Sequence, residues 1–186
     1  MIGTHNSLTA CPARNSFFNL VPFLWRCQTE PLSKQLREVH FFDIRIRFDK
    51  KGSIVYCHGL VDLAVDVPID LLIRAFHSNN KKCRIVLERG KHEREFRELI
   101  ARLTDAQYGK DVISHAIIKK GWKTVYGEAP ILYDYSYVPV HSDRGFWYNL
   151  LHFKLSTPKR WARKHNPIIT QLLKKSKTIH FMDYYK

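Results

Sequence analysis

At 186 residues and 45% hydrophobic content the chain is long enough for one domain with a real core, and its formal net charge of +14 directs it toward anionic partners. No run of 18 apolar residues is present, which excludes a helix of ordinary length crossing a bilayer. Cys11, Cys27, Cys57 and Cys83 show no CxxC spacing and no signal peptide precedes them, so a disulfide framework is not expected and a reduced, cytoplasmic setting is.

In chain order, strand-like runs lie at Ile2 to Thr4, Phe41 to Arg47, Ser53 to Cys57, Arg84 to Leu87, Pro130 to Tyr135 and Thr178 to Met182. Amphipathic stretches at Asp70 to Phe76 and His92 to Leu103 separate some of them, and strand alternating with helix predicts an α/β fold. Asn166-Pro167 reads as an N-cap followed by proline at the first helical position, which predicts a last helix from Pro167 to Lys175. Residues 110 to 125 carry no decisive pattern, and no internal repeat is visible.

Two histidines in short signatures carry the chemistry: Gly3-Thr4-His5-Asn6-Ser7 and Tyr56-Cys57-His58-Gly59, with Phe42-Asp43-Ile44-Arg45 between them. One imidazole can take a proton from an attacking hydroxyl while a second, charged one gives a proton to the leaving oxygen. A guanidinium neutralises the charge that builds on the non-bridging phosphate oxygens. In an extended Phe41 to Arg47 segment, Asp43 and Arg45 point one way and Phe42, Ile44 and Ile46 the other, so a carboxylate lies beside the guanidinium. Taken alone, Asp43 and Arg45 read equally well as a cross-strand ion pair, and most of the ten histidines must be surface or packing residues. Cys57 beside His58 reads as a buried packing thiol, because neighbours in a strand face opposite ways.

These residues resemble the X region of phosphatidylinositol-specific phospholipase C, and its bacterial metal-independent branch in particular. Gly3 to Ser7 is similar to that family's first-strand motif, Gln35 to Arg45 to its helix and second strand, Val55 to Gly59 to the segment with the second histidine, and Ile179 to Tyr184 to its last barrel strand. The similarity covers residues 1 to 90 and 178 to 185. It implies a single catalytic domain over 1–186 with a compact, incomplete or irregular TIM (β/α)8-type barrel, because a full barrel usually takes at least about 200 residues. Since the chain begins almost at its first catalytic strand, no helix is expected to plug the barrel floor.

The resemblance also implies roles. His5 becomes the general base with Asp183 supporting it, Arg45 binds the phosphate, Asp43 orients Arg45, and His58 is the general acid. The reaction is then internal attack by an inositol hydroxyl, giving diacylglycerol and a cyclic inositol phosphate. Asn6 stands where the bacterial branch has an aspartate that assists the acid, and an amide brings no charge. Asn6 is also what the calcium-dependent eukaryotic branch has, and Glu88 sits where that branch has a metal-binding carboxylate. Arg45 disfavours calcium, so no cofactor is expected and Glu88 is assigned to Arg45 or to a substrate hydroxyl, the plain alternative being a strand-end charge. Asp134 falls where the bacterial enzymes contact inositol through an arginine, and Tyr135 is a lid or packing residue.

Between Arg144 and Met182 there is no acidic residue, while basic and aromatic side chains alternate through the 144–177 region. That suits peripheral contact with an anionic membrane, with nucleic acid as the weaker alternative and a merely solvated basic face as the plain one. A monomer is expected. Three readings stand: a metal-independent phospholipase C-like phosphodiesterase, a catalytically impaired basic membrane- or nucleic-acid-binding module on the same fold, and a glycerophosphodiester phosphodiesterase. The third is weakest, because it requires a carboxylate where Arg45 stands.

Overall fold

The computed structural model describes residues 1–106, 108–120, 123–126, 157–173 and 180–182. Eight strands are described: β1 Ile2–Thr4, β2 Phe41–Phe48, β3 Ile54–His58, β4 Val61–Asp62, β5 Lys82–Leu87, β6 Ile113–Lys120, β7 Lys123–Tyr126 and β8 His180–Met182. The helices are α1 Ser16–Leu20, α2 Leu32–Glu38, α3 Ile69–Ser78, α4 Glu93–Asp105, α5 Gly109–Val112 and α6 Pro158–Leu173, with 3₁₀ turns at Ser7–Ala10 and Pro22–Leu24.

The order β8-β1-β2-β5-β6 is parallel throughout, and β7 turns back antiparallel on β6. Beyond its pairing with β1, β2 continues into an antiparallel hairpin with β3, to which β4 is added. The protein is therefore a mixed α/β fold. Among the described residues the sheet does not close on itself.

Why the sheet holds its register follows from β2. Phe42, Ile44 and Ile46 pair with Cys83, Ile85 and Leu87 of β5, and all six belong to one buried apolar cluster. On α3 the buried positions are Ile69, Leu72, Ile73 and Phe76, a single helical stripe, and α4 contributes Phe96, Leu99 and Leu103. These stripes cover the apolar face of the sheet. Phe42 stacks on Phe76 with ring centroids 4.6 Å apart. The alternate residues, Asp43 and Arg45 of β2 and Arg84 of β5, fall on the other face. A slip by one residue would drive the charges into the helix-covered core, so the register is strongly specified.

Most elements match the sequence expectation to within a few residues. Residues 110 to 125, which the pattern leaves open, hold most of α5 and the β6–β7 hairpin. The last helix differs: α6 starts at Pro158, not Pro167, and Pro167 lies inside it. Thr157 is followed by Pro158 at the first helical position, and the Thr157 hydroxyl accepts from the Arg160 N–H, so the true start lies upstream of an equally plausible Asn-Pro pair. The helix tolerates the missing N–H of Pro167, and the Thr170 hydroxyl donates to the Asn166 carbonyl beside it. No helix among the described residues is long and apolar enough to cross a membrane.

Replacing Phe76 by alanine is expected to cost about 3–5 kcal/mol in chemical denaturation, because it empties the wall against which Phe42 stacks.

Candidate active site

The site grows from one carboxylate. Asp43 is fully buried, and its Oδ2 accepts from the Asn6 backbone N–H at 3.0 Å and from Arg45 Nε at 3.0 Å, while its Oδ1 accepts from Arg84 Nε at 2.8 Å. The Asp43 N–H in turn donates to Ser7 Oγ at 2.8 Å. For Asn6 to reach Asp43, the loop after β1 must fold back, and Asn6 does so in the left-handed region at φ 48°. Asparagine is among the few non-glycine residues that adopt it readily. Burial alone would raise the Asp43 pKa, but Arg45, Arg84 and His5 hold it well below the usual carboxylate range.

Arg45 spends its fork on three acceptors. Beyond Asp43, its Nη1 donates to Glu88 Oε1 at 2.7 Å and its Nη2 to His5 Nε2 at 2.5 Å. Burial works against the guanidinium, yet Asp43 and Glu88 raise its pKa further and keep it charged. Because a guanidinium cannot accept, His5 Nε2 carries a lone pair and the proton of neutral His5 lies on Nδ1. The His5 backbone N–H donates to the Met182 carbonyl at the end of β8, and Gln28 Nε2 ties His5 O and Met182 O together at 3.0 and 2.7 Å.

His58 ends β3. Its Nδ1 donates to the Trp25 carbonyl at 2.5 Å, which leaves Nε2 as the acceptor. The two imidazoles stand edge to face with centroids 6.4 Å apart. Removal from water, helped by Arg45 and His5, pushes the His58 pKa down to about 3, so its ring is neutral at ordinary pH. The turn after His58 is clasped by Arg89, whose Nε and Nη2 donate to Gly59 O at 3.1 and 2.9 Å. Cys57 lines the same interior wall as Asn6, Asp43 and Arg45, but burial pushes its thiol up to about 12, which suits packing and not nucleophilic attack.

His5, Asn6 and Glu88 directly follow the C-terminal ends of the parallel strands β1 and β5, the edge where α/β sheets place ligands, and Asp43 and Arg45 reach them from the middle of the longer β2. His58 joins them because β3 runs back along β2. A guanidinium held between two carboxylates, with an imidazole lone pair against its outer nitrogen and a second imidazole nearby, can bind an anion and move protons on either side of it.

The fold has solved counterparts. The phosphatidylinositol-specific phospholipase C of Staphylococcus aureus, in a structure concerned with modulation of its membrane binding, superposes with a TM-score of 0.59 at 14% identity, covering 99% of this chain and 85% of that one. A pentafluoro-Phe form of the same staphylococcal enzyme gives 0.57 at 15% identity, with the same coverage. The fold is therefore like that of this phospholipase. No family model and no curated protein sequence matches the chain.

Of the residues singled out from sequence, His5, Asn6, Asp43, Arg45, His58 and Glu88 converge. Asp183, Asp134 and Tyr135 lie outside the described residues, as does most of the basic 144–177 region apart from α6. Sequence reasoning missed Arg84, although it shares strand parity with Glu88 and stands between the apolar Cys83 and Ile85. It also missed Trp25, whose contribution to His58 is a backbone carbonyl with no side-chain signature.

Asp43→Asn should cost about 3–5 kcal/mol at pH 7, because it removes the buried carboxylate that two buried guanidinium groups share. The wild-type carboxylate has a depressed folded pKa, so its stabilisation is present above about pH 3.9, the unfolded value, and is lost as pH falls through the folded one. Urea denaturation from pH 7 to pH 2 should therefore decline less steeply for Asp43→Asn than for wild type.

Proposed function

We propose that the chain is a metal-independent phosphodiesterase that cleaves a phosphatidylinositol-like phospholipid by internal attack, on an α/β fold completed as an irregular (β/α)8-type barrel. The observation that carries this reading is the Arg45 fork, which holds His5 Nε2 on its outer nitrogen and leaves His58 6.4 Å across the site.

An arriving diester phosphate takes over Arg45 Nη2 from His5. His5 Nε2 is then free to accept the proton of the inositol hydroxyl next to the phosphate. As the hydroxyl oxygen bonds to phosphorus, the bond from phosphorus to the glycerol oxygen breaks, and His58 supplies the proton that this oxygen needs. The products are diacylglycerol and a cyclic phosphodiester. Asp183 is assigned to support His5, and Asp134 and Tyr135 to the head group. The neutral His58 of the free protein gains its proton because the phosphate places a negative charge beside it, offsetting Arg45.

Calcium does not fit the residues present. Asp43 and Glu88 are already paired with guanidinium groups, and Arg45 would repel a divalent ion from the space between them.

A second reading is a binding module that has lost turnover, favoured by the low pKa of His58 and by the uncharged Asn6. The two differ in one assay. Incubation with phosphatidylinositol in excess chelator should yield cyclic inositol phosphate, and His5→Ala or His58→Ala should slow it about 10²–10⁴-fold. Absence of turnover on every phospholipid diester would leave the binding module. Asn6→Asp, which adds a carboxylate to the same wall, should raise the His58 pKa and increase the rate at pH 7 by about tenfold per pKa unit gained. An unchanged or lower rate would break the link between Asn6 and the acid.

A further inference from the structure

The described charges buried at the candidate site cancel. Asp43 and Glu88 bring two negative charges, Arg45 and Arg84 bring two positive ones, and each guanidinium is already paired with a carboxylate. His58 adds nothing, since its ring is neutral at ordinary pH. Arg45 can thus offer an arriving phosphate hydrogen bonds, but the buried cluster offers no net positive charge, and an anion leaving water needs one.

The missing charge stands next in the chain to Glu88. Arg89 is exposed, and its Nε and Nη2 donate to a single acceptor, Gly59 O, at 3.1 and 2.9 Å. Among the described residues no carboxylate pairs with it. This edge of a guanidinium fits two oxygens of one anion, and here it holds one neutral carbonyl oxygen. Gly59 directly follows His58, and a methyl group placed on it would meet no atom within 4 Å, so the space over the clasp is open. Burial pushes the Cys57 thiol up while Arg45 and Arg89 both oppose it, so the two guanidinium groups act on the same interior.

The backbone holds Arg89 in place under strain. Arg89 adopts φ 69°, the left-handed region that arginine seldom enters, and Gly90 follows at φ 57°. A Cβ at Gly90 would stand 2.3 Å from Lys120 Cγ, and Lys120 is itself fixed by Glu93 at 2.8 Å. The end of β6 therefore closes over the loop and keeps Arg89 on the turn after His58. Strain of this kind gathers at segments that clamp ligands.

We propose that Arg89 is a second phosphate-binding residue of the site, which exchanges Gly59 O for a non-bridging phosphate oxygen and supplies the positive charge that the buried cluster lacks. A charged oxygen is a stronger acceptor than a carbonyl, so the exchange favours the ligand. Until then the exposed guanidinium is solvated and needs no counter-ion. Because the released carbonyl belongs to the residue after His58, the anion is drawn to the side of the site where the acid stands. This inference rests on the phosphodiesterase reading for the source of the phosphate, but its test needs no turnover.

Nitrogen-15 NMR of the arginine Nε–H signals during titration of the full chain with inorganic phosphate at pH 7 decides it. In wild type the Arg89 Nε–H signal should shift saturably. Arg89→Asn, which removes the charge with a residue that accepts the left-handed backbone, should weaken phosphate binding about 10- to 100-fold. Arg89→Lys keeps the charge but not the two-donor clasp and should recover part of that loss. Added salt should weaken wild-type binding more than that of Arg89→Asn. Thermal melting checks that the variants are folded; should Arg89→Asn not fold, the wild-type Arg89 signal decides. No phosphate binding by wild type, binding that leaves the Arg89 signal unmoved, wild-type affinity in Arg89→Asn, or an Arg89→Lys no better than Arg89→Asn would overturn the proposal. Phosphate held through Arg89 by a protein that turns over no phospholipid diester would remove the catalytic reading and leave the role of this residue standing. Turnover of phosphatidylinositol with an unchanged KM in Arg89→Asn would do the reverse.

Discussion

Everything at the candidate site depends on a fully buried carboxylate. Asp43 sits where water cannot solvate it, and its charge survives because two guanidinium groups and a backbone N–H surround it. An unpaired ion in such a place would be costly enough to neutralise itself or unfold the region. The pairing therefore fixes three pieces of chain at once: the loop after β1 through Asn6, the middle of β2 through Arg45, and β5 through Arg84. The side chains of His5 and Glu88 both meet the Arg45 guanidinium.

The sheet gives this cluster its setting. Its two faces have opposite character, apolar where α3 and α4 pack and charged where Asp43, Arg45 and Arg84 stand, and the strand period of two makes the division strict. Burial of the apolar face provides the stability from which the charged face draws, since buried ion pairs bring little net stability of their own. The geometry of the charged face is accordingly a specificity device: it points Arg45 at His5 and not at solvent. The neutral His58 fits the same logic, because a second fixed positive charge beside Arg45 would have no counter-ion until an anion arrives.

Much of this was legible in the residues. The alternation Phe42, Asp43, Ile44, Arg45, Ile46 announces one apolar and one charged face, and the helical spacing of Ile69, Leu72, Ile73 and Phe76 announces α3. What was not legible depends on register or on backbone. Arg84 meets Asp43 because β5 pairs with β2 in one particular register. Trp25 reaches His58 through a carbonyl that any residue possesses, and Arg89 clasps the following turn in the same way. The start of α6 is ambiguous in the sequence because Asn166-Pro167 and Thr157-Pro158 carry the same local signal, and the structure uses the second. The exposed apolar side chains of 16–24 look like core residues until their accessibility is known.

The central claim is that Arg45 exchanges His5 for a phosphate and that His58 gains its proton in response. Nitrogen-15 NMR of the two imidazoles during titration with a non-hydrolysable phosphonate analogue of phosphatidylinositol reads both events together. The account predicts that, at pH 7, His58 shifts toward the imidazolium form and His5 Nε2 loses its hydrogen bond, and that Arg45→Met abolishes both changes. Saturable binding that leaves both rings unchanged, or that survives Arg45→Met, would contradict it.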